Sequence, residues 1–301
     1  MRITMVNAPL LPVPPVLGGP IERTLYETAR TIRDPKFRVI SLWAKELADC
    51  SDMDRKIFFH VNIKKEERHV SRVLNGRIPP ELQNRRRARN FYYFNGVSDL
   101  LEEHDPDVIQ VHNDTHAMAY LAKQFPEKAK ILYMHNEARF GDPKTVEGVR
   151  ASDHLIFVSH YLAGRFWSHF PECISRSTVI YNSVDVSAFH PDLQSHREAQ
   201  KIQKTFDLQP GRTVLFVGRT VPVKGLHCLL DSFFKVKDAL SDVKLLIVGS
   251  PLFGAVSKSG YLRRLQRRAK VLGDAVSFTG FIDPDHLPYY YAAADVAVVP
   301  S

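Results

Sequence analysis

Between residues 107 and 181 short apolar runs alternate with stretches of helical spacing. They read as strand 107–112, helix 115–124, strand 130–135, a short helix near 144–151, strand 154–158, helix 160–169 and strand 177–181. Runs this short and this continuously apolar suit strands covered on both faces. Parallel neighbours need a crossover, most simply a helix, so the alternation predicts a doubly wound α/β sheet.

The same rhythm extends in both directions. Residues 2–6 (RITMV) read as the first strand, a loop holds Gly18 and Gly19, and a helix starts at Pro20. Arg38–Trp43 and Lys56–Asn62 read as further strands. From Pro79 to His104 the spacing is helical, with Leu82, Phe91, Phe94, Val97, Leu100 and Leu101 as the inner face. After a polar stretch, 193–210, the alternation restarts with strand 213–217 and a helix from Leu226. Strand 243–248, helix 260–272, strand 275–279, a helix near 284–292 and strand 295–299 follow. The length of 301 residues is enough for two cores. The expected domains are therefore 1–192 and 211–301, with 193–210 as linker.

One βα turn carries more chemistry than the others. Strand 213–217 is followed by Gly218-Arg219, a short loop and Lys224-Gly225 before the helix. Helix-opening amides lack intrahelical partners and carry the positive end of the dipole, so the turn suits an anion with two negative groups. Arg219 offers a planar fork for phosphate oxygens and Lys224 a point charge. A surface loop with two solvated cations is the competing reading. The Gly18-Gly19 loop before Pro20 is a second, weaker candidate; without G-x-G-x-x-G it is no dinucleotide fingerprint.

Two strands end on histidine, at His112 and His135, on the edge where ligands of such sheets sit. For His135, ligand contact competes with a structural hydrogen bond. His112, Asp114 and His116 also read as metal ligands, but only one further carboxylate or histidine is obvious nearby, and the expected answer is no metal. Cys50, Cys173 and Cys228 are odd in number, widely spaced and outside any C-x-x-C pair, which supports neither a disulfide framework nor a zinc knuckle and points to half-buried thiols. The net charge of +8 gathers at Arg85–Arg87 with Arg89, and at Arg263, Arg264, Arg267 and Arg268. A solvated helix face, an anionic membrane surface and nucleic acid compete for these clusters, and no nucleic-acid module accompanies them. The amino terminus has no signal pattern and no apolar run approaches a bilayer span. The expected address is cytoplasmic, with peripheral attachment at the inner face of a membrane as an open option.

Several segments together resemble the retaining glycosyltransferases of family four, whose GT-B fold has two Rossmann-like domains facing a cleft. They are the glycine pair at 18–19, MHNE at 134–137, Val158–Ser159, VIYNSVD at 179–185, VGRTVPVKG at 217–225, LLIVG at 245–249, FTGFI at 278–282 and ADVAVVPS at 294–301. The opening loop and MHNE look most like bacterial spore-coat members. The resemblance implies transfer of a hexosyl unit, with retention, from a nucleotide-diphosphate sugar (a UDP-sugar first among them) to a glycan, lipid or small-molecule acceptor. It implies no cofactor and no bound metal, because Arg219 and Lys224 would stabilise the departing diphosphate. His135 would touch the donor sugar. Gly18, Gly19, Gly218, Gly249, Phe281 and Ile282 would border donor and nucleotide, and His112, Asn136, Ser159 and Asn182 would meet sugar or acceptor.

Two departures stand out. Asn182-Ser183 replaces the family's Asn-Gly turn. The chain also stops at Ser301, before the loop that carries the family's two glutamates, so a truncated second domain is expected. A catalytically silent relative that binds a nucleotide sugar or a partner is the alternative to an enzyme. An epimerase of the same fold and an oxidoreductase fit the glycine and cation spacing less well.

Overall fold

The computed structural model describes residues 1–32, 34, 36–49, 55–67, 85–251 and 259–301, the side chains of 85–87 excepted. Its strands form two parallel sheets, and the chain divides into two compact units, Met1–Ser183 and Val184–Ser301.

The first unit holds β1 (Ile3–Val6), β2 (Phe37–Leu42), β3 (Phe58–Val61), β4 (Val108–His112), β5 (Ala129–Met134), β6 (His154–Phe157) and β7 (Ser177–Val179). Their order across the sheet is β3-β2-β1-β4-β5-β6-β7. The chain steps outward from β1 to β3, then returns to the other side of β1. The loops leaving β1 and β4 therefore part in opposite directions and open a crevice at the carboxyl edge. Helices α1 (Pro20–Ile32), α2 (Arg85–His104), α3 (Thr115–Gln124), α4 (Pro143–Ala151) and α5 (His160–Trp167) supply the crossovers.

Both faces of this sheet are covered, which is why its strands read as unbroken apolar runs. Val39 packs with Met5, Leu25 and Phe58 on one side. Its neighbour Ile40 packs with Tyr93, Ile109, Leu132 and Phe157 on the other. Each such fully buried large side chain contributes about 1.5–3 kcal/mol. On α2 the inner face differs from the sequence reading: Phe91 is 38% exposed and Tyr93 is fully buried. The ring can sink because its hydroxyl donates to the Asn7 carbonyl at 2.8 Å. Leu82 and residues 79–81 lie outside the described residues. Helices α3 and α4 meet closely, and a Cβ on Gly148 would stand 2.0 Å from the Thr115 carbonyl oxygen.

The second unit begins before the expected boundary. Residues 193–210 contain α6 (Arg197–Thr205), and Ile202, Phe206 and Leu208 pack with Leu215, Leu246 and Val248 in this unit's own core. The stretch expected as linker is thus part of the second unit. Then follow β8 (Thr213–Val217), α7 (Leu226–Ala239), β9 (Lys244–Val248), α8 (Gly260–Ala269), β10 (Val276–Gly280), α9 (Leu287–Ala292) and β11 (Val296–Ala297). The order is β10-β9-β8-β11, so the reversal here falls between β8 and β11. The Asp295 carboxylate accepts from the amides of Gly211, Arg212 and Thr213 at 2.9, 3.0 and 2.9 Å, latching the start of β11 to the start of β8. The helix expected over 260–272 ends at Ala269, and a 3-10 turn containing Gly273 at φ 57° takes its place. Cys173 is buried and Cys228 exposed, both as free thiols, so neither is half-buried; Cys50 lies outside the described residues.

Candidate active site

In the first unit the site is built where β4 and β5 end. Asn113 follows β4 in the left-handed region, at φ 55°. Its side-chain oxygen accepts from the amides of His135 and Asn136 at 3.0 and 2.8 Å, and its own amide donates to the Tyr133 carbonyl at 2.8 Å. The two strand ends are thereby tied together. Asp114 caps α3, accepting from the amides of His116 and Ala117.

His112 is 2% exposed. Its Nε2 lies 2.7 Å from Gln110 Nε2, and its Nδ1 lies 3.2 Å from His135 Nε2. The His135 ring stacks on Tyr133 at 4.6 Å between centroids. Burial, and then the neighbouring His135, hold His112 well below the ordinary histidine value. Burial lowers His135 to about 4. Both rings are neutral at pH 7.

Beside this pair a cleft of about 450 Å³ opens at the first crevice, lined by the loop after β1, the start of α2, and the segments after β4 and β5. Arg89 donates to the carbonyls of Pro9 and Leu10, which ties α2 to the loop after β1. Glu137 accepts from the Tyr161 hydroxyl and from Arg165 at 3.1 and 3.0 Å. His116 Nε2 meets Asp142 Oδ2 at 2.6 Å. The side chains of His112, Asp114 and His116 thus turn to different partners: His112 to Gln110 and His135, Asp114 to the opening amides of α3, and His116 to Asp142. Among the described residues no group of three His, Cys, Asp or Glu side chains could hold a metal ion. The cleft's polar groups include the amides of Asn90 and Asn113, the carboxylates of Asp114, Glu137 and Asp142 and the cations Arg89 and Arg139, a lining that suits a hydroxyl-rich ligand.

Gly18 and Gly19 have φ 79° and 111°. The space that a Cβ on Gly19 would take is filled by Glu22 Oε2, 2.1 Å away. Glu22 is 5% exposed and its Oε1 accepts from Asn7 Nδ2 at 3.0 Å. Burial raises its pKa, and the Asn7 hydrogen bond opposes that rise. The glycine at 19 therefore makes room for a buried carboxylate. Ser159 caps α5, accepting from the Leu162 amide at 3.2 Å, and Asn182 is exposed beyond β7.

In the second unit three neighbouring strands run out on glycine: Gly218 after β8, Gly249 after β9, and Gly280 at the end of β10. Gly218 donates to the Val248 carbonyl and Gly249 to the Gly280 carbonyl, each at 2.9 Å. A Cβ on Gly249 would lie 2.0 Å from the Gly218 oxygen, so the strand ends close against each other only without side chains. Exposed Arg219 follows directly, at the strand whose position marks the reversal. Half-buried Lys224 ends a 3-10 turn, Pro222–Lys224, and Gly225 at φ 65° opens α7. A Cβ there would meet the Pro300 oxygen at 2.3 Å. Phe281 is 36% exposed beside Gly280, whereas the Ile282 side chain packs into the core with Leu246 and Val248. Of the α8 arginines, Arg268 is tied to Asp231 of α7 at 2.5 Å; Arg263, Arg264 and Arg267 are exposed.

The model of the family described as Glycosyltransferase Family 4 matches residues 18–188, and that described as Glycosyl transferases group 1 matches residues 211–301. The chain belongs to glycosyltransferase family 4. Spore coat protein SA of Bacillus subtilis is 28% identical to this family 4 chain, over 100% of the chain and 74% of that protein. The lipopolysaccharide 1,2-N-acetylglucosaminetransferase of Salmonella typhimurium is 23% identical over 68% of the chain, which spans 51% of that enzyme. Among solved structures, Anabaena HepE in complex with UDP superposes with a TM-score of 0.68 at 19% identity, covering 100% of this chain and 74% of that one. The fold is GT-B, with a Rossmann-like sheet in each unit.

Proposed function

We propose that this glycosyltransferase family member transfers a hexosyl unit, with retention, from a nucleotide-diphosphate sugar to a hydroxyl of a glycan, lipid or small-molecule acceptor. The observation that carries the reading is the place of Arg219 in the second unit. It leaves β8 where the strand order reverses, next to glycine strand ends that let a ligand approach the backbone. Lys224 and the first amides of α7 add positive charge to the same βα turn. When the bond from the sugar to the diphosphate breaks, negative charge grows on the leaving group. Cations fixed there beforehand lower that barrier without reorganisation. In the first unit, His135 and the cleft beside it take sugar and acceptor hydroxyls. The UDP complex of HepE supports a UDP-sugar as the first donor to test.

The test is titration calorimetry with UDP, GDP and ADP. One of them binds, and Arg219→Ala or Lys224→Ala weakens it by roughly 10- to 100-fold, the worth of one charge-assisted hydrogen bond of about 1.5–3 kcal/mol. Unchanged affinity in both variants would remove the diphosphate assignment. Binding without any sugar transfer or donor hydrolysis would make the chain a nucleotide-sugar binder.

A further inference from the structure

Gln110 and His112 stand two residues apart on β4, so their side chains share one face of the sheet. The amide nitrogen of Gln110 has hydrogens to give and no lone pair to accept with. At 2.7 Å it donates to His112 Nε2, which is therefore bare. A neutral imidazole has one proton, and in His112 that proton sits on Nδ1. From there it is donated across 3.2 Å to His135 Nε2, which is bare in turn. The single proton of neutral His135 is left on Nδ1. Among the described residues that Nδ1 has no protein partner.

We infer that Gln110 and His112 are positioning residues that fix His135 as its Nδ1–H form, so that the ring offers a donor and not an acceptor. The ligand atom it takes is then an oxygen with a free lone pair: a sugar hydroxyl oxygen, a ring oxygen or a phosphate oxygen. The ligand class rests on the transferase reading above; the proton placement does not. Free histidine side chains favour the Nε2–H form, so the relay imposes the less common one. The stacking of His135 on Tyr133 and the burial of His112 hold the rings in the geometry that the relay needs.

The experiment is long-range proton–nitrogen NMR on the full chain with nitrogen-15 histidine, without ligand, at pH 7. The wild-type spectrum shows the His135 proton on Nδ1 and the His112 proton on Nδ1. In His112→Phe the His135 proton moves to Nε2; in Gln110→Leu, which leaves the buried ring in place, the Nδ1–H form of His112 falls from dominant to a minority. A wild-type His135 carrying its proton on Nε2 overturns the inference. So does a Gln110→Leu chain, folded by its melting curve, with both histidines unchanged. Because no ligand is present, failure here leaves the calorimetric test of nucleotide binding untouched. Absence of nucleotide binding, equally, leaves the proton assignment standing.

Discussion

Gly249 is the position where fold and proposed chemistry meet most tightly. In Gly249→Ala the new methyl group would lie 2.0 Å from the Gly218 oxygen. Ordinary contact needs more than an ångström of additional separation, so the ends of β8 and β9 must part. The residue also sits at φ 134°, a region that alanine avoids at a cost on the order of 1–3 kcal/mol. Strain and clash together set the expected loss at ~3 kcal/mol. For a unit of this size that lowers the melting temperature by roughly 10 °C. Gly273→Ala is the matched control: at φ 57° and ψ −130° it bears backbone strain of about 1–3 kcal/mol, but nothing lies within 4 Å of the added carbon. Displacing the Gly218 carbonyl also displaces Arg219, the next residue. UDP affinity should therefore fall at least tenfold in Gly249→Ala at a temperature where the chain is still folded, and stay near wild type in Gly273→Ala. Calorimetric melting and UDP titration on the three chains read both effects. If Gly249→Ala melts no lower than Gly273→Ala and binds UDP as wild type does, the close-packed strand ends are not what positions Arg219.

The histidine pair makes acid destabilising. Both folded values lie below the unfolded one of about 6.5, so the unfolded chain binds more protons and stability falls as pH drops from about 6.5 toward 4. His135→Gln flattens that part of a urea-midpoint profile, and a profile as steep as wild type would contradict the neutral pair. The proposal of peripheral membrane attachment rests on the two arginine clusters: Arg89 and Arg268 already have partners, the side chains of Arg85–Arg87 lie outside the described residues, and Arg263, Arg264 and Arg267 are exposed. Replacing these last three with glutamine should weaken co-sedimentation with vesicles rich in acidic lipid, and co-sedimentation independent of acidic lipid would end the proposal.

Strands and helices were legible wherever apolar residues repeat locally. β4, β5 and α3 fall within one or two residues of their expected bounds because each has its whole pattern in one short segment. Strand 295–299 shrinks to Val296–Ala297, which among the described residues pairs with β8 alone, although the Asp295 and Val298 amides still donate to the Thr213 and Leu215 carbonyls of β8. What no local pattern carries is which strands are neighbours. The reversals at β1/β4 and β8/β11, and hence the places where crevices open, depend on contacts more than a hundred or about eighty residues apart in the chain. The first-unit cleft gathers residues from four such separated segments, and Arg89 reaches carbonyls eighty residues away. Gly19 shows the opposite limit. The glycine pair stands out in the sequence, but the occupant of the freed space, Glu22, is set by the turn of α1 that brings its carboxylate back over Gly19.

The contact between α3 and α4 through Gly148 bears on which ligands the first-unit cleft can admit. Both helices present their first turns to the cleft, and with no side chain at Gly148 to separate them they form one stiff jamb. Variation in what the cleft admits is then left to the segment 137–142 and to residues 8–10, where a substitution can reshape the doorway without cracking its frame.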